Sequence, residues 1–136
     1  MTSAPGFQKH PDYSVQLEPE AEPVEVRANG MTIARTDRAI RVVESRHHPV
    51  WYLPMADVDP AVLERSATET YCPFKGTASY WHVKTSAGAV EDALWGYETP
   101  YDECEALADL VSFYPNRVDV LIGEDADRAQ KPGWTG

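Results

Sequence analysis

The sequence predicts a mainly β fold, and three observations carry that prediction. Seven or eight short segments show apolar–polar alternation or a β-branched and aromatic make-up. Turn-forming pairs and triplets separate them at the spacing of small antiparallel proteins. Only one segment has clear helical periodicity, so the strand–helix rhythm of a doubly wound nucleotide fold is absent.

The elements follow in chain order. Residues 1–22 are rich in Pro, Glu and small polar types and are expected to form an extended arm, in which Val15 and Leu17 alternate well enough to pair along a sheet edge. Val24, Val26 and Ala28 alternate with Glu25 and Arg27, which predicts a half-buried strand. Asn29-Gly30 is the favoured pair for a type I′ turn, and Met31, Ile33 and Ala34 lead back from it. Asp37-Arg38 links to a strand over Ala39–Ser45, and Val50–Leu53, between Pro49 and Pro54, forms the next. Pro60–Arg65 is expected to make one helical turn capped by Asp59.

Ser79–Thr85 then predicts a strand with Tyr80, His82 and Lys84 on one face and Trp81 and Val83 on the other. Ser86-Ala87-Gly88 is its turn, and Ala93–Tyr97 the following strand. Asp102 and Glu105 have the spacing of a capping box, and Leu107, Leu110 and Val111 that of a helix over about 103–110. Arg117–Ile122 alternates as a last strand. The expected organisation is an arm over 1–22, a single domain over 23–123 and a flexible tail over 124–136.

The 136 residues amount to one ordinary domain. The formal charge of −10, from 12 basic and 22 acidic side chains, repels phosphate backbones and argues against nucleic acid as a partner. No run of about 18 apolar residues is present, so no membrane span is expected. The N-terminus lacks the basic start and apolar stretch of a secretory signal, so the expected location is cytoplasmic, with Cys72 and Cys104 as free thiols.

The segment with most chemistry is Cys72-Pro73-Phe74-Lys75-Gly76-Thr77-Ala78-Ser79-Tyr80-Trp81. Pro73 fixes its own φ and Gly76 permits a backbone shape other residues resist, so the bend can hold Cys72 and Lys75 in a set direction. That element stands in order with Asn29-Gly30, Ile33-Ala34, Glu44, Val50–Pro54, Trp95-Gly96-Tyr97-Glu98-x-Pro100 and Val111-x-Phe113-Tyr114. In these residues the chain resembles the bacterial family called "domain of unknown function 427", from about Val24 to Val120. The resemblance implies a small tent-like (Mss4-like) domain in which two antiparallel sheets lean together at one edge. Related tents include zinc-binding chaperone-like proteins and a ligand-binding domain with an aromatic cage. The family also carries a nucleotidyltransferase designation. Such transfer needs clustered carboxylates for magnesium and a Gly-rich phosphate turn, and neither stands at a telling spacing here. Some family members hold two copies in tandem, which leaves a homodimer open for this single copy.

Several side chains carry competing readings. Cys72 is a nucleophile activated by Lys75 or a small buried residue at a strand end; Cys104 is packing. His47, His48, Cys72, His82 and Cys104 lack paired C-x-x-C knuckles, and no metal or other cofactor is expected. Lys75 either meets a carboxylate or phosphate of a ligand or pairs with Glu44 or Glu98. Arg46 shares the face of Glu44 if the strand continues. Of the aromatics Trp51, Tyr52, Tyr80, Trp81, Trp95 and Tyr97, some fill the core and the excess lines a pocket between the sheets.

Three functions follow from these readings. The first is a module binding a small anionic or aromatic ligand in a cleft lined by Tyr52, Trp81 and Tyr97, with Lys75, Glu44 and Arg46 at its polar end. The second is a group-transfer enzyme using Lys75, Glu44 and Cys72. The third is a dimerisation or protein-interaction module.

Overall fold

In the computed structural model, which describes residues 3–45 and 47–123, the chain is mainly β, with ten strands in two antiparallel sheets. The strands are β1 (Val15–Pro19), β2 (Val24–Ala28), β3 (Met31–Thr36), β4 (Ile40–Glu44), β5 (Val50–Pro54), β6 (Leu63–Cys72), β7 (Gly76–Thr85), β8 (Gly88–Gly96), β9 (Leu110–Phe113) and β10 (Asp119–Ile122). Seven pair in the order β1-β4-β5-β9-β8-β7-β6, and three in the order β10-β2-β3. No helix among the described residues is long and apolar enough to cross a membrane.

Period-two alternation gives the larger sheet two unlike faces. Trp51, Leu53, Trp81, Val83, Leu94, Val111 and Phe113 point toward the smaller sheet and pack on Val24, Val26, Ile33, Val120 and Ile122. The intervening Tyr52, Ala78, Tyr80 and Trp95 point the other way, into a second cluster with Val42, Tyr97, Cys104 and Leu107. The hairpin of β2 and β3 turns at Asn29 and Gly30, both with positive φ (51° and 78°), as a type I′ turn demands.

Four differences from the sequence expectations have physical causes. β6 is an edge strand with mostly exposed residues, so it carries no apolar alternation to betray it. The expected turn at 60–65 shrinks to a 3-10 turn over Pro60–Val62, where the Asp59 carboxylate does accept from the Ala61 N–H at 3.0 Å, and Leu63 already opens β6. The expected helix over 103–110 is a 3-10 segment, Asp102–Leu107, broken at Cys104 (φ −125°, ψ 25°) and with no side-chain cap. Leu110 opens β9 instead, because Val111 and Phe113 alternate with Ser112, whose hydroxyl donates to the Trp51 carbonyl at 2.7 Å.

The expected N-terminal arm is also more structured than an extended chain. It contains a short helix, α1 (Pro5–Lys9), and β1, which pairs with β4 from Val15↔Glu44 to Pro19↔Ile40 at the sheet edge. Glu20 is buried and accepts from the Trp51 indole N–H at 2.9 Å. The tail expected over 124–136 lies outside the described residues.

Candidate functional site

The bend between β6 and β7 is fixed from both sides. Gly76 has φ +118°, a conformation that L side chains rarely adopt, and it packs beneath Pro100. The Tyr101 N–H donates to the Lys75 carbonyl and the Gly6 N–H to the Pro73 carbonyl, each at 2.9 Å. A bend held by backbone bonds on two flanks leaves its side chains little choice of direction. Lys75 is accordingly buried, and its ammonium donates to Oε1 of Glu44, the last residue of β4. Glu44 Oε2 accepts from the Tyr13 hydroxyl at 2.6 Å. Burial pushes the Tyr13 phenol well above its ordinary pKa, and the bond to Glu44 and that carboxylate's charge push the same way.

This Tyr13–Glu44–Lys75 chain stands at one end of a cavity of about 510 Å³. The walls come from four strands and their ends: Tyr52 on β5, Tyr80 on β7, Trp95 on β8 with Tyr97 just beyond it, and Tyr114 after β9. Trp95 and Tyr114 stand with ring centroids 4.4 Å apart, and Tyr52 meets Trp95 edge-on at 6.1 Å. The Tyr80 hydroxyl is held 2.9 Å from Thr70 Oγ1 and receives the Tyr114 hydroxyl at 3.5 Å. Tyr97 is only 7 % exposed, lines the cavity, and its hydroxyl makes no hydrogen bond among the described residues. Burial raises the pKa of Tyr97 and of Tyr52, so both phenols stay neutral and able to donate.

Of the residues singled out in the sequence, Lys75, Cys72, Glu44, Tyr52, Tyr80, Trp95 and Tyr97 meet around this one cavity. Trp81 does not. One residue from Tyr80 on the same strand, it faces the smaller sheet and is packed in the core between the sheets, with the Arg65 guanidinium 5.3 Å from its ring centroid. The expected position of the pocket is corrected with it. The space between the sheets is filled by core, and the cavity lies on the opposite face of the seven-stranded sheet. Arg46 lies outside the described residues.

Of the two partners weighed for Lys75, Glu44 is the one it meets; Glu98 pairs with Arg65 at 2.6 Å and accepts from Ser79. Cys72 is half-buried in the cavity wall, whereas burial pushes the Cys104 thiol up to about 11 despite the opposing charge of Lys75. His47 and His48 both reach the cavity, because they sit in the connection after β4 and not on a strand that would split them between faces.

Tyr13 and Tyr114 are the site residues that the sequence reading missed. Tyr114 continues the alternation of Ser112 against Val111 and Phe113, a signal obscured by the apparent helical spacing before it. Tyr13 lies in a polar segment with no periodicity to place it. Among the described residues no three His, Cys, Asp or Glu side chains converge to hold a metal ion.

The cavity wall thus combines aromatic rings with neutral hydroxyls and one ammonium. Comparison with known families gives a match to the family described as "Domain of unknown function (DUF427)", over residues 16–124. No curated protein matches the chain significantly.

Proposed function

The chain belongs to the DUF427 family, and from the cavity that this domain encloses we propose that it binds a small ring-bearing molecule carrying an anionic group. One observation carries the reading. A cavity of about 510 Å³, inside the range of small-molecule sites, combines aromatic walls with an ammonium and a phenol that makes no hydrogen bond among the described residues. An ammonium has three N–H donors, and among the described residues Lys75 spends one, on Glu44. Two remain for a carboxylate or phosphate group. Tyr97 supplies a further donor along the wall. The rings of Trp95, Tyr114 and Tyr52 supply apolar area to a flat partner.

The Lys75–Glu44 pair is formally neutral, so an anion meets no net repulsion at that end even though the whole chain carries −10. Desolvating an anion there still requires direct hydrogen bonds, which limits the ligand to one whose charged group reaches Lys75 while its ring lies against Trp95.

The test is titration with 1-naphthoate and with its uncharged amide, followed by tryptophan fluorescence and melting temperature. The acid is expected to bind more tightly than the amide. Lys75→Met is expected to remove that preference, weakening the acid by about tenfold, the loss of one charge-assisted hydrogen bond of roughly 1.5 kcal/mol. Tyr97→Phe weakens both compounds. Equal binding of acid and amide by the native protein, or no binding of either at millimolar concentration, overturns the reading. Chemical conversion of a bound compound, recovered altered after incubation, points instead to group transfer by Lys75, Glu44 and Cys72.

A further inference from the structure

Residues 4–14 run beside the bend that carries Lys75, contribute Tyr13 to the cavity wall and are tied down along their length. At one end the Ala4 N–H donates to Glu103 Oε1 at 2.8 Å, on the 3-10 segment. In the middle Gly6 sits against the bend, its N–H on the Pro73 carbonyl. At the other end the Ser45 N–H donates to the Ser14 carbonyl at 3.0 Å, beside the end of β4. Between these ties the Phe74 ring is gripped by the segment: Tyr13 stacks on it with centroids 3.9 Å apart and planes 14° from parallel, and Phe7 meets it edge-on at 5.0 Å. Tyr13 then reaches Glu44 and forms part of the cavity wall.

We infer that residues 4–14 are a strap that controls entry to the cavity, and that Tyr13 is its selective contact with whatever lies inside. The inference rests on the ligand-binding reading above and adds to it the route and the gate. The family match starts at residue 16, so the strap precedes the matched domain yet contributes a wall residue to it.

The strap's own stability is small. A helix of five residues has no independent persistence, so α1 is held only by what it touches. Those contacts are a few backbone bonds, the bonds to Glu103 and Glu44, the buried Ala4 and Gly6 and two half-buried rings, a small set that places the strap among segments that open at a fraction of the cost of global unfolding. Gly6 is the release point. A Cβ there would stand 2.7 Å from the Phe74 ring and 2.8 Å from the Pro73 carbonyl oxygen, closer than side chains tolerate, and the second of these atoms is backbone that cannot swing aside. Gly6→Ala therefore lifts the strap off the Pro73-Phe74 bend without replacing a residue that lines the cavity.

Cys72 reports the opening, because it lines the cavity whereas Cys104 is fully buried. In a Cys104→Ser background the Cys72 thiolate attacks 5,5′-dithiobis(2-nitrobenzoate), giving the mixed disulfide and releasing one thionitrobenzoate, which is followed by absorbance. Gly6→Ala is expected to raise that rate by about tenfold, and Tyr13→Phe by several-fold, while amide exchange at His10 and Tyr13 speeds up in step. Unchanged labelling in variants whose strap amides do exchange faster overturns the inference. So does continued protection of those amides in Gly6→Ala, since the strap then tolerates the added methyl in place. Labelling needs no bound ligand. Faster labelling without naphthoate binding sinks the ligand reading and keeps the strap; naphthoate binding with unaltered labelling does the reverse.

Discussion

Lys75, on the bend between β6 and β7, donates to Glu44 at the end of β4, and β5, β9 and β8 separate β4 from β7 in the sheet. The pair thus ties two distant parts of one sheet across the face that holds the cavity. Both side chains are largely buried, 6 % and 15 % exposed, so removing one strands the other. Lys75→Met and Glu44→Gln are each expected to cost about 2 kcal/mol in urea unfolding, below the full buried-pair range because Glu44 retains Tyr13 in the first and the new amide still offers Lys75 an oxygen in the second. The double variant is expected to cost clearly less than the sum. Additive costs would mean that the two charges do not depend on one another.

Alkaline pH should loosen the same face. The Cys104 thiol is pushed up from 9.0 to about 11 by burial, and burial raises Tyr52 and Tyr97 above the ordinary phenol value of 10.0. A group whose pKa is higher folded than unfolded holds its proton more tightly in the fold. Its contribution is complete below the unfolded pKa and is lost as pH rises toward the folded one. The urea midpoint is therefore expected to hold steady from pH 7 to about 9 and then to fall. Tyr52→Phe/Tyr97→Phe should flatten the fall. A midpoint that declines equally in that double variant would place the sensitive groups elsewhere.

The elements legible in the sequence were those whose two faces meet different surroundings. β2, β3, β5, β7 and β10 alternate because one face packs on the other sheet. β6 was invisible because an edge strand with polar residues on both faces has no such contrast. β9 was hidden by Leu107, Leu110 and Val111, whose spacing imitates a helix although Leu107 and Val111 belong to opposite faces of the sheet. The bend holding Lys75 was legible from Pro73 and Gly76, since both residues have conformational reasons to be there. The side of the sheet was not. Alternation says that Tyr80 and Trp81 part company, but it cannot say which face a second sheet will cover.

That division gives a paired test at adjacent positions. Trp81→Leu removes a ring from the core between the sheets and is expected to cost about 3 kcal/mol while leaving 1-naphthoate affinity unchanged. Tyr80→Phe removes a hydroxyl from the cavity wall, where it bonds Thr70, and is expected to cost about 1 kcal/mol while changing naphthoate affinity. Urea unfolding and fluorescence titration of both variants read the two effects separately. A change of affinity in Trp81→Leu at unaltered stability would reverse the assignment of faces.

Glu20 tests how far the domain extends toward the N-terminus. It lies beyond β1, donates its backbone N–H to the Ala39 carbonyl, and accepts from the Trp51 indole inside the core. An arm outside the fold would have no reason to bury a carboxylate, whereas an edge strand that delivers an acceptor to a core tryptophan does. Glu20→Ala should leave that indole N–H without the carboxylate and cost about 2 kcal/mol, the penalty for a buried donor deprived of its acceptor. Glu20→Gln, which keeps an oxygen in place, should cost less than half as much. The measurement is the urea midpoint of each variant at neutral pH, with the NMR signal of the Trp51 indole N–H as a local reporter. Equal, negligible costs for both would show that residues 15–20 are dispensable to the core, and the domain would then begin at β2.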